Sequence, residues 1–259
     1  MSETPSPTLP SSPRCVLLTG ASGVIGRAIT PVLRERFDLR LFDKHDPGDI
    51  PGLFAGDLAE PDALDDALAG VHTLIHLAAQ STEADFVSVL VPNNIVGLHH
   101  TFEAALRAGV KRIVFASTIQ AFDRYPRGHT ITATDLPRPV TLYGATKAFG
   151  ETMGRWYHDT HGIEFLAVRI GWFMNPDSEM GRCLLRDGAH GRTIWLSPRD
   201  AARLFTLSAE VPTIGADGYG IVFATSRTTF ERLSLAPARQ LLGYEPEDDA
   251  RRFEATDAA

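Results

Sequence analysis

Tyr143 and Lys147 stand four residues apart in the stretch Tyr143-Gly144-Ala145-Thr146-Lys147. On a helix that spacing puts a phenol and an ammonium on one face. A free phenol has a pKa of about 10 and is a poor base at neutral pH. A nearby cation favours the phenolate, which can then take the proton of a substrate alcohol while a hydride leaves for an oxidant. Run in reverse, the same phenol protonates a carbonyl oxygen. The pattern alone is common on helix surfaces, so its meaning rests on what surrounds it. Ser117 and Thr118 end the apolar run Arg112–Ala116. A hydroxyl at the carboxyl end of a parallel strand points into the ligand crevice, where it could hold the reacting oxygen against Tyr143. The plainer reading of either hydroxyl is a turn-forming loop residue.

Alternating elements must position these groups. Strands are expected at Cys15–Thr19, Leu39–Phe42, Thr73–Leu77, Arg112–Ser117 and Glu164–Ile170. Helical patterns lie between them at Gly26–Phe37, Ala63–Ala69, about Asn94–Ala108 and Tyr143–Thr160. Strand and helix in alternation imply βαβ units, a parallel sheet and an α/β doubly wound, Rossmann-type fold. Continuous apolar strands fit a sheet covered on both faces. Further on, a short strand or turn and a helix are expected over Trp195–Ala209, a last strand at Ile221–Ala224 and a last helix at Leu235–Leu242. One domain is expected over residues 14–259, with about 172–259 contributing a small substrate cap; residues 1–13, rich in Ser, Pro and Thr, read as a disordered tail.

The first strand runs into Thr19-Gly20-Ala21-Ser22-Gly23-Val24-Ile25-Gly26 and then a helix. Gly20 permits a tight turn, Gly23 lets a pyrophosphate approach the backbone, and Gly26 lets helix and strand pack closely. The helix N-terminus offers free N–H groups and a positive dipole end to the phosphates. Asp43 ends the second strand, where a carboxylate can accept ribose hydroxyls and would repel a 2′-phosphate, favouring NAD; Arg40 and Lys44 keep NADP open. Asp57 could hold the adenine amino group or simply cap a helix.

The 259 residues carry 25 basic and 32 acidic side chains, a net charge of -7, which argues against general affinity for nucleic acid or anionic membranes. No apolar run is long enough for a membrane span. Cys15 and Cys183 lack metal spacing and read as reduced thiols of a cytoplasmic protein. The histidine pairs His99-His100 and His158/His161 lack acidic or thiol companions at ligand spacing, so no metal is expected. His76 reads as a packed strand-end residue.

Taken together, these motifs resemble the extended short-chain dehydrogenase/reductase superfamily, also called the NAD-dependent epimerase/dehydratase family. The resemblance is carried by Thr19–Gly26, Asp57-Leu58, His76-Leu77-Ala78-Ala79, Asn94 with Gly97, Ser117-Thr118 and Tyr143–Lys147. Within it the chain is most similar to uronate dehydrogenases, through Leu142–Glu151, Val168–Gly171, Trp195–Asp200 and Leu242–Pro246. The resemblance implies NAD as cofactor, held by Gly20, Ser22, Gly23, Val24, Ile25, Gly26, Asp43, Asp57, Leu58, Leu77, Ala78, Ala79, Asn94, Ile170, Tyr143 and Lys147. It implies Tyr143, Lys147, Thr118 and Ser117 as catalytic groups. It also implies a free sugar or sugar acid oxidised at the anomeric carbon to a lactone, with Ser81, Ser117, Thr118, Gln120, Tyr143, Trp172 and Arg182 about the substrate. Arg182 would answer a sugar carboxylate, since a guanidinium fork matches it. A homo-oligomer is implied as well.

The chain departs from that pattern where uronate dehydrogenases carry Ser-Ser-Asn-His: here stand Ser117, Thr118, Ile119 and Gln120. Trp172 replaces a serine. Both changes imply a smaller, more apolar pocket, and a lost hydrogen-bond partner shifts substrate preference strongly. A nucleotide-sugar epimerase or dehydratase would need a larger C-terminal region, and a non-catalytic NAD sensor would not need the Tyr–Lys pair.

Overall fold

A computed structural model describes residues 13–254. Most of the tail assigned to residues 1–13 lies outside the described residues. The elements run β1 (Cys15–Thr19), α1 (Val24–Arg34), β2 (Asp38–Asp43), β3 (Leu53–Ala55), α2 (Asp65–Leu68), β4 (Thr73–His76), α3 (Gly97–Arg107) and β5 (Arg112–Thr118). They continue with α4 (Leu142–His161), β6 (Glu164–Ile170), β7 (Trp172–Phe173), α5 (Glu179–Asp187), α6 (Ala189–Ile194), β8 (Trp195–Leu196), α7 (Pro198–Glu210), β9 (Tyr219–Ala224) and α8 (Ala236–Leu242). A wide helical segment, Phe86–Val96, leads into α3. It was not foreseen as a separate element, because its apolar residues show no helical face and Pro92 interrupts the ladder.

Seven parallel strands form one sheet in the order β3-β2-β1-β4-β5-β6-β9. Alternate residues of each strand feed opposite cores. Val16, Leu18, Ile75 and Val114 pack with Ile29, Leu33, Leu204 and Phe205 on the α1/α7 face. Leu17, Leu74, Ile113 and Phe115 pack with Leu98, Phe102, Ala105 and Tyr157 on the α3/α4 face. That double burial is why the strands read as unbroken apolar runs.

The chain leaves β1 outward to β2 and β3, then returns on the other side as β4. The carboxyl ends of β1 and β4 therefore flank the topological switch point, where open α/β sheets bind ligands. Residues 172–254 divide between two roles. β9, α7 and α8 complete the main sheet and its cover, while β7 and β8 pair with each other in a second, two-stranded sheet.

Candidate active site

Thr19 hands the chain from β1 to the glycine turn. Gly20 has φ +74°, and a Cβ there would lie 2.7 Å from the backbone nitrogen of Ala78. Only glycine lets the two strand ends approach so closely. No side chain caps the N-terminus of α1 at Gly23, so its first N–H groups remain available to an anion. Asp43 at the end of β2 accepts from the backbone N–H of Ser22 (2.9 Å) and of His45 (3.0 Å). A carboxylate offers about four acceptor sites, so this one can hold the loop and still accept ribose hydroxyls. The residues of the β1–α1 turn and Asp43 thus fit a dinucleotide.

The two cations that kept a 2′-phosphate open are engaged. Lys44 pairs with Asp57 at 2.6 Å, and Arg40 donates to the carbonyls of Ala67 and Ala69. Asp57 also accepts from Ala59 N–H, and these bonds hold its carboxyl below the usual range. It closes the turn that follows it and pairs with Lys44, and it caps no helix.

Asn94 joins the sheet end to α4. Its side chain exchanges two hydrogen bonds with the backbone of Gln80 and donates to Thr146 Oγ1 at 3.0 Å. Thr146 in turn donates to the Tyr143 carbonyl. His76 bonds Thr19 Oγ1 through Nδ1 and stacks on Phe115. Burial, with the Lys147 charge added, holds it down to about 3, so it stays neutral.

Helix α4 begins at Thr141, whose hydroxyl accepts from Gly144 N–H at 2.9 Å. Its inner face carries Tyr143, Lys147, Glu151 and Gly154 in one stripe. Tyr143 faces the end of β5, where Thr118 lines the same cavity. Burial pushes Tyr143 up to about 12, and the neighbouring Thr118 hydroxyl works against that by favouring the phenolate. Lys147 is buried with its ammonium 4.8 Å from the Phe115 ring centre and 5.9 Å from that of Tyr143. Burial alone brings it down to about 7. Both shifts favour the neutral forms, so the pair sits in a dry setting where one added charge weighs heavily.

Ser117 turns to a different partner. Its hydroxyl donates to Glu151 Oε1 at 2.5 Å, and Glu151 takes a two-pronged bond from Arg169, whose guanidinium lies 3.6 Å from the Phe122 ring centre. This buried network ties α4 to β5 and β6 directly behind Thr118. Of the two adjacent hydroxyls, Ser117 is thus engaged by Glu151, and Thr118 is the one that acts on the Tyr143 phenol.

A cavity of about 350 Å³ opens here. Of the residues singled out in the sequence, Ile25, Leu77, Ala79, Ser81, Ser117, Thr118, Gln120, Tyr143, Lys147, Ile170 and Trp172 line it. Phe173 and Met174 extend the wall beyond Trp172. They were missed because β7 is two residues long and leaves no periodicity. Arg182 lies elsewhere: it is exposed on α5 and donates to the Asp177 carbonyl. Among the described residues lining the cavity, Lys147 is the sole cation.

The profile of the NAD dependent epimerase/dehydratase family matches residues 16–184. The NAD-dependent glucose-6-phosphate dehydrogenase of Haloferax volcanii is 38% identical, over 92% of this chain and 95% of its own. The uronate dehydrogenase of Pseudomonas syringae pv. tomato is 33% identical, over 93% of this chain and 84% of its own. The crystal structure of a tyrosine-to-alanine mutant of Agrobacterium tumefaciens uronate dehydrogenase complexed with NAD superposes with a TM-score of 0.79. It is 31% identical, covering 93% of this chain and 87% of the other. Family match, full-length relatives and the order of the site motifs agree, and the chain belongs to the NAD dependent epimerase/dehydratase family.

Proposed function

We propose that this chain is an NAD-dependent dehydrogenase of a small free sugar, oxidising the anomeric C–OH to a lactone. The observation that carries the reading is the convergence of Thr118, Tyr143 and Lys147 on one cavity beside the β1/β4 switch point. NAD supplies the hydride acceptor when bound, and its oxidised ring brings a positive charge. Thr118 orients the anomeric hydroxyl, and Tyr143 takes its proton at Oη. Lys147, when protonated, biases the phenol toward phenolate. Asp43 supports NAD over NADP, as does the engagement of Lys44 by Asp57 and of Arg40 by backbone carbonyls.

The cavity wall favours a neutral aldose. Trp172, Phe173 and Met174 are bulky and largely apolar, and Gln120 is already bonded to Thr141. A carboxylate or phosphate placed among the described lining residues would meet no cation except Lys147, which the proton transfer uses. A buried anion without a partner is unfavourable. The relative named for glucose 6-phosphate keeps a charged sugar as the second reading.

The test is NADH formation with a panel of aldoses, uronates and sugar phosphates, with both cofactors, and lactone identified in the product. A rise at the NADH band with aldoses and NAD supports the reading. Activity confined to uronates removes the neutral-sugar preference. Absence of NADH with every sugar removes the function.

The same helix supports an assembled enzyme. Leu142, Phe149 and Trp156 recur every seven residues on the outer side of α4 and are exposed, beside exposed Phe86 and Val87. An apolar stripe of that length at the surface suits a symmetric contact with a second copy.

A further inference from the structure

Glu83 stands in the loop between β4 and the Phe86–Val96 helical segment, exposed and remote in sequence from α4. Its carboxylate nevertheless closes on the first turn of that helix: one oxygen accepts the Leu142 N–H at 3.3 Å and the other the Tyr143 N–H at 3.1 Å. With the Thr141 hydroxyl on Gly144 N–H, the first three N–H groups of α4 are satisfied. A fixed negative charge also complements the helix dipole at that end. The loop is pinned elsewhere too. Asn94 grips the backbone of Gln80, and Asp85 caps the next helical segment through Ser88 N–H and Oγ. Ser81, which lines the cavity, lies between the Gln80 and Glu83 pins.

We propose that Glu83 is a positioning residue that straps the Ser81 loop to the backbone of Tyr143 and so sets the width of the cavity mouth on the sugar side. It does not line the cavity itself. Its two bonds fix the separation between a sugar-side hydroxyl, Ser81, and the backbone of the proton-transfer residue. Being exposed, it is separable from the fold, since Thr141 still caps α4 and Asn94 still holds Gln80 when Glu83 is removed. The inference rests on the reading of Tyr143 as the proton-transfer group.

The test compares Glu83→Ala and Glu83→Gln with the wild type in three readouts: sugar kinetics, NAD affinity and amide hydrogen exchange. Glu83→Ala should raise the KM for the preferred aldose about tenfold or more, with a smaller loss in kcat, since sub-ångström misplacement is felt strongly at reacting centres. NAD affinity and Tm should stay near wild type. Exchange should quicken at the amides of Leu142 and Tyr143 and across 80–84 while the rest of α4 keeps its protection. Glu83→Gln retains one acceptor oxygen and should recover most of the KM. Unchanged exchange at Leu142 and Tyr143 in Glu83→Ala overturns the strap. Unchanged KM, or a fall in Tm and NAD affinity together with KM, overturns its role toward sugar. If no sugar is oxidised by the wild type, the functional reading fails by itself, and the exchange data still decide the strap.

Discussion

Ser117 and Thr118 show how neighbouring hydroxyls part company. Ser117 reaches the buried Glu151–Arg169 pair deeper along α4, while Thr118, one residue nearer the strand end, shares the cavity with Tyr143 at the start of the same helix. The sequence placed both at a crevice but could not say which faced which partner. Thr118→Val should lower kcat/KM about 10²-fold or more, the scale of losing one positioned hydroxyl at a reacting oxygen. Ser117→Ala should instead lower stability by about 1–2 kcal/mol, because it strips a partner from a buried carboxylate, and thermal unfolding alongside kinetics separates the two. Lys147 gives a pH signature. Its folded value is about 7 against an ordinary 10.5, so between those values the unfolded chain holds one proton more. Wild-type stability therefore rises with pH across that window, and the burden of the buried ammonium is full below it. Lys147→Met removes this dependence. Denaturation midpoints of the two proteins should differ most near pH 6, with the variant the more stable, and converge toward pH 10. A constant difference would contradict the assignment.

The helices and strands that carry these residues were legible wherever one pattern ruled. β1 and β6 were found to the residue, and α4 to within a residue at each end, because apolar runs and the Thr141 and Gly162 boundaries agree with the packing. β7 was not, being too short to show periodicity, and the Phe86–Val96 segment shows no apolar face. Glu83 left no local signal, since its partners lie some sixty residues on. Glu151 did leave one: four residues after Lys147, it falls on the same face of α4. Arg182 illustrates the opposite failure, a charge whose type suited a ligand but whose helix carries it to the surface. At this scale the start of α4 is the critical joint. Thr141→Ala removes a helix cap and the bond to Gln120, and should lower stability by about 1 kcal/mol. Chemical denaturation reads that change directly; a neutral substitution would mean that Glu83 alone suffices to hold the helix start.

Across the whole molecule, the seven-stranded sheet places the glycine turn and the Tyr143–Lys147 pair along one carboxyl edge, with Trp172, Phe173 and Met174 on the cavity wall. The fold class was readable from alternation alone, whereas the division of residues 172–254 between the main sheet and the β7–β8 pair was not, since β9 joins the sheet only in three dimensions. If α4 joins two copies, Trp156→Glu should convert the assembly to monomer in light scattering while leaving each cavity intact. The central claim is that Tyr143 moves the sugar proton while NAD accepts the hydride. It is tested most directly by NADH formation from the preferred aldose in wild type and Tyr143→Phe, with NAD affinity measured on the same samples. The account predicts loss of at least about 10³-fold in kcat for Tyr143→Phe with NAD affinity unchanged. Turnover within a few-fold of wild type in that variant would contradict it.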